Sequence, residues 1–462
     1  MKLKVLNIVI GMFIAACAIT SCLDADMAEY EYSSSASITA FSITDSIVTK
    51  HEIALNPDID LIDTVITTSI LGSDYPFIIN QNEGLIYNAD SLPFGTDVSK
   101  VVVSITADTY GIYVVAENDS LWEEGDSLDF RTPIQFKVMS EMGTYGRIYT
   151  AKINVHQQEP ELLTWQKMEN NFSKNIQKQK AIYLNNCFYV FAEQESQVAM
   201  TKSTDGQTWS TLEDINIPAK ADYSSVMVWG NQLYILATQN LYSSNDGISW
   251  EKVETEQAIN QLFANIHNEN SQKLIGVDPE GYYIESEDGI NWTRHEKLPA
   301  DFPKSGHQFV NYTLNTNNKI SRTILLGNNE EVSDTTTTVW MQIDSDHDWT
   351  ALTMDVETNA CPNLENAALI HYNGSLYTFG GEGQKDGTIE AFSTFFKSID
   401  NGITWEAVTE NMIFPEEFTS LYEQAKGNYS YTIDKDQYLW IMWSQTGEIW
   451  RGRINKFGFE KQ

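Results

Sequence analysis

From about Ile38 onward, apolar and polar residues alternate over short runs that are broken every few positions by turn formers. KVVVSITAD (100–108) and GIYVVAEND (111–119) are two such runs, and PIQFKVMSEMGTYGRIYTAKINV (133–155) reads as a hairpin whose turn carries Gly143 and Gly146. A period of two puts every second side chain on one face, so these segments predict half-buried β-strands. HQQEPELL (156–163), with Pro160, reads as a linker. Beyond it the pattern becomes repetitive. A tryptophan followed by a short strand recurs at Trp165, Trp209, Trp250, Trp292, Trp349 and Trp405, at intervals of 44, 41, 42, 57 and 56 residues. One unit shows its content openly: VMVW, a GN turn, QLYILA, NLYSS, an NDG turn and SWEKV are four strands in order. The chain is therefore expected to be all-β.

Seven or so short strands in about 115 residues predict an immunoglobulin-like β-sandwich over 38–157. Its closing phrase, Tyr-x-x-x-Ile-x-Val after a Gly-containing turn, resembles the bacterial Ig-like modules that space other domains from a membrane. Units of 40–50 residues with four strands each predict a β-propeller over 163–462. After Trp405 a last unit (SYTID, QYLWIMW, GEIWRGRI) has three strands, while Trp165 opens the domain with an outer strand that nothing precedes. The two fragments complete one blade, and such closure removes exposed sheet edges. Six blades are expected, with seven as the alternative if the 57-residue interval hides a degenerate unit.

Four tryptophans end a recurrent phrase: STDGQTW (203–209), SNDGISW (244–250), SEDGINW (286–292) and SIDNGITW (398–405). The last resembles the Asp-box pattern S-x-D-x-G-x-x-W of sialidase-like propellers, and the others lack one residue between Asp and Gly. Asp205, Asp246, Asp288 and Asp400 suit acceptance of backbone N–H bonds across a tight turn. Gly206, Gly247, Gly289 and Gly402 suit a positive φ. Ser203, Ser244, Ser286 and Ser398 are placed to bond near the turn, and Trp209, Trp250, Trp292 and Trp405 to pack between blades. The resemblance implies structural turns on the face opposite any ligand mouth. HYNGSLYTFGGEGQ (371–384), with Gly380-Gly381, also resembles a kelch repeat.

The start of the chain is a targeting segment. Lys2 and Lys4 precede an apolar run from Val5 to Ala18 that is too short to span a bilayer. Ile19-Thr20-Ser21-Cys22 then resembles the lipobox of bacterial lipoproteins, which implies cleavage and lipid on Cys22. Residues 1–22 are thus read as signal and 23–37 as a flexible acidic tether. LDADMAEYEY in that tether resembles the export signal of Bacteroidetes-type surface lipoproteins, so a cell-envelope location at the outer membrane is expected. The full layout resembles a family of Bacteroidetes propeller lipoproteins, a resemblance that implies no activity. A formal charge of −35 excludes phosphate backbones as partners, so no nucleic acid is expected. Cys187 and Cys361 remain in the folded part and read as small buried hydrophobes without a disulfide. Seven scattered histidines give no zinc spacing, so neither metal nor cofactor is expected. One carboxylate per repeated turn is also too few for calcium.

An enzyme of the sialidase type needs three arginines to clamp a carboxylate. The repeat region offers Arg294, Arg322, Arg451 and Arg453 in no such pattern, and FRTP (130–133) falls in the preceding module. Other glycosidases need two facing carboxylates, which a sequence with 64 acids neither reveals nor excludes. Ligand contacts are expected in loops after outer strands and between second and third strands. Glu193, Glu195, Tyr223, Asp278, Glu280, Glu382 and Trp443 are the candidates there for holding a glycan or a surface protein. The expected function is a lipid-anchored, non-catalytic binding platform. The alternatives are a glycoside hydrolase or lyase acting at the mouth, and a scaffold subunit of a surface complex.

Overall fold

The structure is a computed structural model that describes residues 36–44, 46–53, 64–172, 176–218, 220–267, 272–314, 317–329, 331, 333–343, 348–352, 359–383 and 388–459. The signal segment, Cys22 and nearly all of the tether lie outside the described residues. The chain divides into one unit ending at Glu159 and another running Pro160–Lys461.

In the first unit a three-stranded sheet joins Ile38–Ile43, Val101–Ala107 and Ser127–Leu128. A six-stranded sheet runs in the order Phe77–Asn80, Leu85–Asn88, Tyr145–Lys152, Ile134–Met139, Gly111–Val114 and Ser120–Leu121. Tyr145–Lys152 pairs in parallel with Leu85–Asn88 and antiparallel with Ile134–Met139. A hairpin, Ser46–Ile53 with Thr64–Leu71, stands as a separate two-stranded sheet. Alternation fills the core: Ile38, Phe41, Val101 and Val103 of the first sheet meet Ile86, Phe136, Val138 and Tyr149 of the second. Arg131 of FRTP is exposed here and donates from Nε to Asp129 Oδ1 at 2.9 Å.

In the second unit every sheet has four antiparallel strands. Sheet 1 runs from Gln179 to Asp214, sheet 2 from Ala221 to Lys252, sheet 3 from Gln261 to Lys297, sheet 4 from Ser305 to Ala351 and sheet 5 from Ala368 to Ala407. In each, the strands follow one another in sequence. Sheet 6 takes Tyr429–Ile433, Leu439–Trp443 and Ile449–Ile454 from the end of the chain and Leu163–Lys167 from the start of the unit. Gly452 makes that closing contact possible, because a Cβ there would lie 2.7 Å from the Trp165 ring. The long interval between Trp292 and Trp349 is taken up by the strands of sheet 4, which reach 10, 13 and 11 residues.

The first strands of successive sheets touch around one channel, and each pair of neighbouring sheets encloses its own apolar cluster. Phe191 of sheet 1, for example, meets Trp250 of sheet 2 edge-on at 5.6 Å. A helix, Glu417–Gln424, interrupts the link from sheet 5 to sheet 6. Phe418, Leu421, Tyr422 and Ala425 recur at helical spacing after Pro415, and all four are buried. They cap the cluster between sheets 5 and 6.

Candidate functional site

The four repeated phrases form turns between the third and fourth strands of sheets 1, 2, 3 and 5. In each, the serine hydroxyl accepts the glycine N–H at 2.8–2.9 Å, and the tryptophan Nε1 donates back to the glycine carbonyl. The aspartate accepts the next turn N–H groups: Gln207 and Thr208 on Asp205, Ile248 and Ser249 on Asp246, Ile290 and Asn291 on Asp288. These N–H donors hold Asp205 and Asp288 down to about 2. In SIDNGITW the additional residue, Asn401, sits at φ 64°; the serine–glycine and tryptophan–glycine bonds are kept, while Asp400 accepts the Thr404 N–H on Oδ1 at 2.9 Å and the Thr404 hydroxyl on Oδ2 at 2.6 Å. The aspartate Oδ1 atoms are consumed by the turns.

Antiparallel order fixes which end of the channel these turns occupy. First strands start at the opposite end, where second-to-third strand turns also lie. The channel itself, about 540 Å³, is walled by Lys180–Tyr183, Ser224, Val226–Val228, His307–Asn311, Leu369–His371 and Tyr431–Ile433, with Asn265 from sheet 3. Toward the repeated turns, Tyr312 donates to Asn401 Oδ1 at 2.9 Å and stacks on His371 at 4.0 Å. His307 lies against Phe263 and shares a 3.0 Å hydrogen bond with the Pro303 carbonyl. Burial pushes both imidazoles below their ordinary range.

At the other end lies a mouth of about 210 Å³, lined by Lys178–Lys180, Tyr223, Ser224, Gln308, Asn366, Ala367 and Gly427–Tyr431. Its floor is Tyr431, whose hydroxyl donates to Gln308 Oε1 at 2.8 Å and accepts the Leu369 N–H at 3.0 Å, so the ring bridges sheets 4, 5 and 6. Gly380-Gly381 supports the rim: a Cβ on Gly380 would meet the Asn366 carbonyl at 2.7 Å and the Tyr429 hydroxyl at 2.8 Å. That hydroxyl donates to the Asn366 carbonyl at 2.6 Å.

Three residues of this lining each carry a buried polar atom with no protein partner among the described residues: Gln179 Oε1, Tyr223 Oη and Ser430 Oγ. Their residues are only 9%, 7% and 2% exposed. Lys180 lines both the mouth and the channel, with Nζ 5.6 Å from the centre of the Tyr431 ring. Removal from water pushes its ammonium down to about 8, against the opposing pull of Asp222. Asp222 is engaged elsewhere, accepting the N–H and the hydroxyl of Ser224. Among the described residues no Asp or Glu lines either cavity.

Of the residues expected at a ligand face, Tyr223 alone lines the mouth. Glu193 is beside it, paired with Lys178 at 3.1 Å, while Glu195 is exposed in the adjoining turn at φ 50°. Asp278 is 3% exposed and structural: it accepts the N–H groups of Glu280 and Tyr282 at 2.9 Å and pairs with Arg294. Glu280 holds the same arginine from the surface at 2.8 Å. Glu382 is exposed, and its carbonyl accepts the Glu365 N–H. Trp443 is a correction. It is fully buried, with Phe392 and Phe418 against its ring at 4.9 and 5.4 Å, and presents nothing to a ligand. The helix that covers it was not expected from the strand pattern. Gln179, Lys180, Gln308 and Ser430 lie on strands, outside the loops where ligand contacts are expected. The available signal was polar residues opening otherwise apolar strands, as in QKAIYL and YSYTI.

Sheets of four antiparallel strands around a central channel, closed by pairing the first strand with the last, define the second unit as a β-propeller. The chain belongs to the DUF6242 family: residues 159–462 match its beta propeller domain and 41–153 its N-terminal domain, a domain of unknown function. No curated protein sequence matches the chain. Among solved structures it is similar to virginiamycin B lyase from Staphylococcus aureus, at 10% identity and TM-score 0.36, covering 74% of this chain and 94% of that one. It is also similar to a Carbohydrate-Active Enzymes Family AA12 protein from Trichoderma reesei, at 9% identity and TM-score 0.36, covering 65% and 99%. An endo-1,4-beta-xylanase from Bacteroides thetaiotaomicron aligns at 11% identity and TM-score 0.30, covering 53% and 97%.

Proposed function

We propose that this chain is a lipid-anchored cell-envelope protein whose propeller is a non-catalytic platform that holds a glycan at the mouth of its channel. The observation that carries this reading is that three residues lining one concave opening each hold a buried polar atom without a protein partner among the described residues: Gln179 Oε1, Tyr223 Oη and Ser430 Oγ. Buried polar groups are ordinarily satisfied, and each lost bond costs about 1–3 kcal/mol, so such a cluster marks where a ligand completes the bonding. A narrow opening suits a sugar or a chain end better than a broad protein surface. The absence of carboxylates from the lining of both cavities, among the described residues, weighs against hydrolysis by a pair of acids.

In this reading Cys22 carries lipid in the outer membrane, 23–37 is the tether, and the 38–157 module is an Ig-like spacer. The propeller has six blades, and its repeated turns are Asp boxes that build the face away from the ligand. The diglycine at 380–381 is its kelch-like feature. A Cys22→Ala chain should move from the membrane to the soluble fraction and lose incorporation of a labelled fatty acid. For the ligand, a glycan array should be probed with the whole chain and with Ser224→Trp, which places a bulky ring at an exposed position of the mouth. Binding by the first and not the second, with equal melting temperatures, supports the proposal. An array without hits, or equal binding by both chains, overturns it.

A further inference from the structure

We propose that the mouth selects a sugar bearing a single carboxylate, with Lys180 Nζ as its charge partner and Gln179, Tyr223 and Ser430 bonding its hydroxyls. This rests on the reading of the mouth as a glycan site and adds the chemistry of the glycan.

The first ground is charge. In a chain of formal charge −35, the cation that faces both cavities is Lys180, and among the described residues it makes no ion pair. Lys178, the other cation on the rim, is already matched by Glu193. The neighbouring carboxylate of Asp222 is held by Ser224, and among the described residues no acid lines the opening. A partly desolvated ammonium with no carboxylate in direct contact is unfavourable, and burial lowers its pKa to about 8 against the pull of Asp222. An anion entering the mouth would relieve that.

The second ground is the mixture of donors and acceptors. Gln179 Nε2 already donates to the Met442 carbonyl at 2.7 Å, so its free Oε1 accepts and needs a donor from the ligand. The Tyr223 and Ser430 hydroxyls take either role. A bare oxyanion offers only acceptors and would leave Oε1 unsatisfied, whereas a polyhydroxylated ring supplies both. The third ground is stoichiometry. One ammonium balances one negative charge, while a phosphomonoester brings about −1.5 to −2 into an already acidic molecule. Hydroxyls together with a single carboxylate define a uronate-like sugar.

The test is isothermal titration calorimetry of the whole chain with glucuronate, galacturonate, glucose, galactose and acetate. The expected result is binding of at least one uronate, at least tenfold tighter than its neutral counterpart and than acetate. Lys180→Met should weaken that uronate at least tenfold, with thermal unfolding showing that the variant is folded. Ser430→Ala, which removes a single hydroxyl, should weaken both a uronate and any neutral sugar by a few-fold. Neutral sugars binding as tightly as uronates, unaffected by Lys180→Met, would overturn the carboxylate and leave the glycan platform standing. Acetate binding as tightly as a uronate would overturn the sugar ring. Binding of none of the five overturns this inference, while the platform stands or falls separately, on the array comparison of the whole chain with Ser224→Trp.

Discussion

Lys180 shows how one side chain is set by its neighbours. Three features fix its character: the Tyr431 ring beside it, Asp222 as an opposing charge, and channel walls that strip part of its hydration. His307 across the channel is itself kept neutral by burial. A cation whose folded pKa lies below its unfolded value opposes folding while it is charged, and that opposition fades as pH rises from the folded to the unfolded pKa. Lys180→Met should therefore stabilise the chain at pH 7, by about 1–3 kcal/mol from the size of the shift. The gain should shrink between pH 8 and the ordinary lysine range. Urea unfolding of both chains at pH 7 and pH 10 checks it, and a gain that grows with pH would contradict the assignment. That a lysine occupies position 180 is plain from the sequence. That it faces the channel depends on strand register, because one residue of slip sends every side chain to the other face.

The repeated turns illustrate the element scale. Their bonds are local, between residues two to four apart, so the sequence pattern alone states them correctly. What each turn rests on is not local. A Cβ on Gly206 would lie 2.3 Å from the Trp440 ring of sheet 6, whereas one on Gly289 would find its nearest neighbour, Tyr234, at 3.7 Å. Both glycines have positive φ, 71° and 77°. Gly289→Ala should cost only the backbone strain, about 1–2 kcal/mol, while Gly206→Ala adds overpacking of about 1–3 kcal/mol. Thermal melts of the two variants give the comparison, and equal losses would mean that the Trp440 contact yields freely. The helix at 417–424 was illegible for the opposite reason: its eight residues gain stability from packing on Trp443 and Trp450, not from their own propensity.

At the scale of the whole molecule, closure of the propeller depends on strands almost 300 positions apart. Leu163 pairs with Ile454 and Lys167 with Trp450. Without Leu163–Lys167 the strand Ile449–Ile454 becomes an exposed edge, and such edges template association. A chain lacking residues 163–167 should melt earlier and show concentration-dependent scattering that the intact chain does not. A monodisperse truncated chain with unchanged melting would show that closure contributes little. The same closure gives the channel its walls, since sheet 6 supplies Ser430 and Tyr431 to a mouth whose Lys180 and Tyr223 come from sheets 1 and 2.

Periodicity and short-range motifs were enough to read an all-β chain, its division near residue 160, the four-strand units and the turns that join them. Each of these rests on alternation or on bonds between close neighbours. The mouth lay beyond that reach. Its polar atoms come from strands separated by tens to hundreds of residues, and no local pattern tells a buried glutamine with a free carbonyl from one that is satisfied. Trp443 makes the same point in reverse: an aromatic beside a polar loop suggests a ligand contact, and only the helix packed over it makes it core.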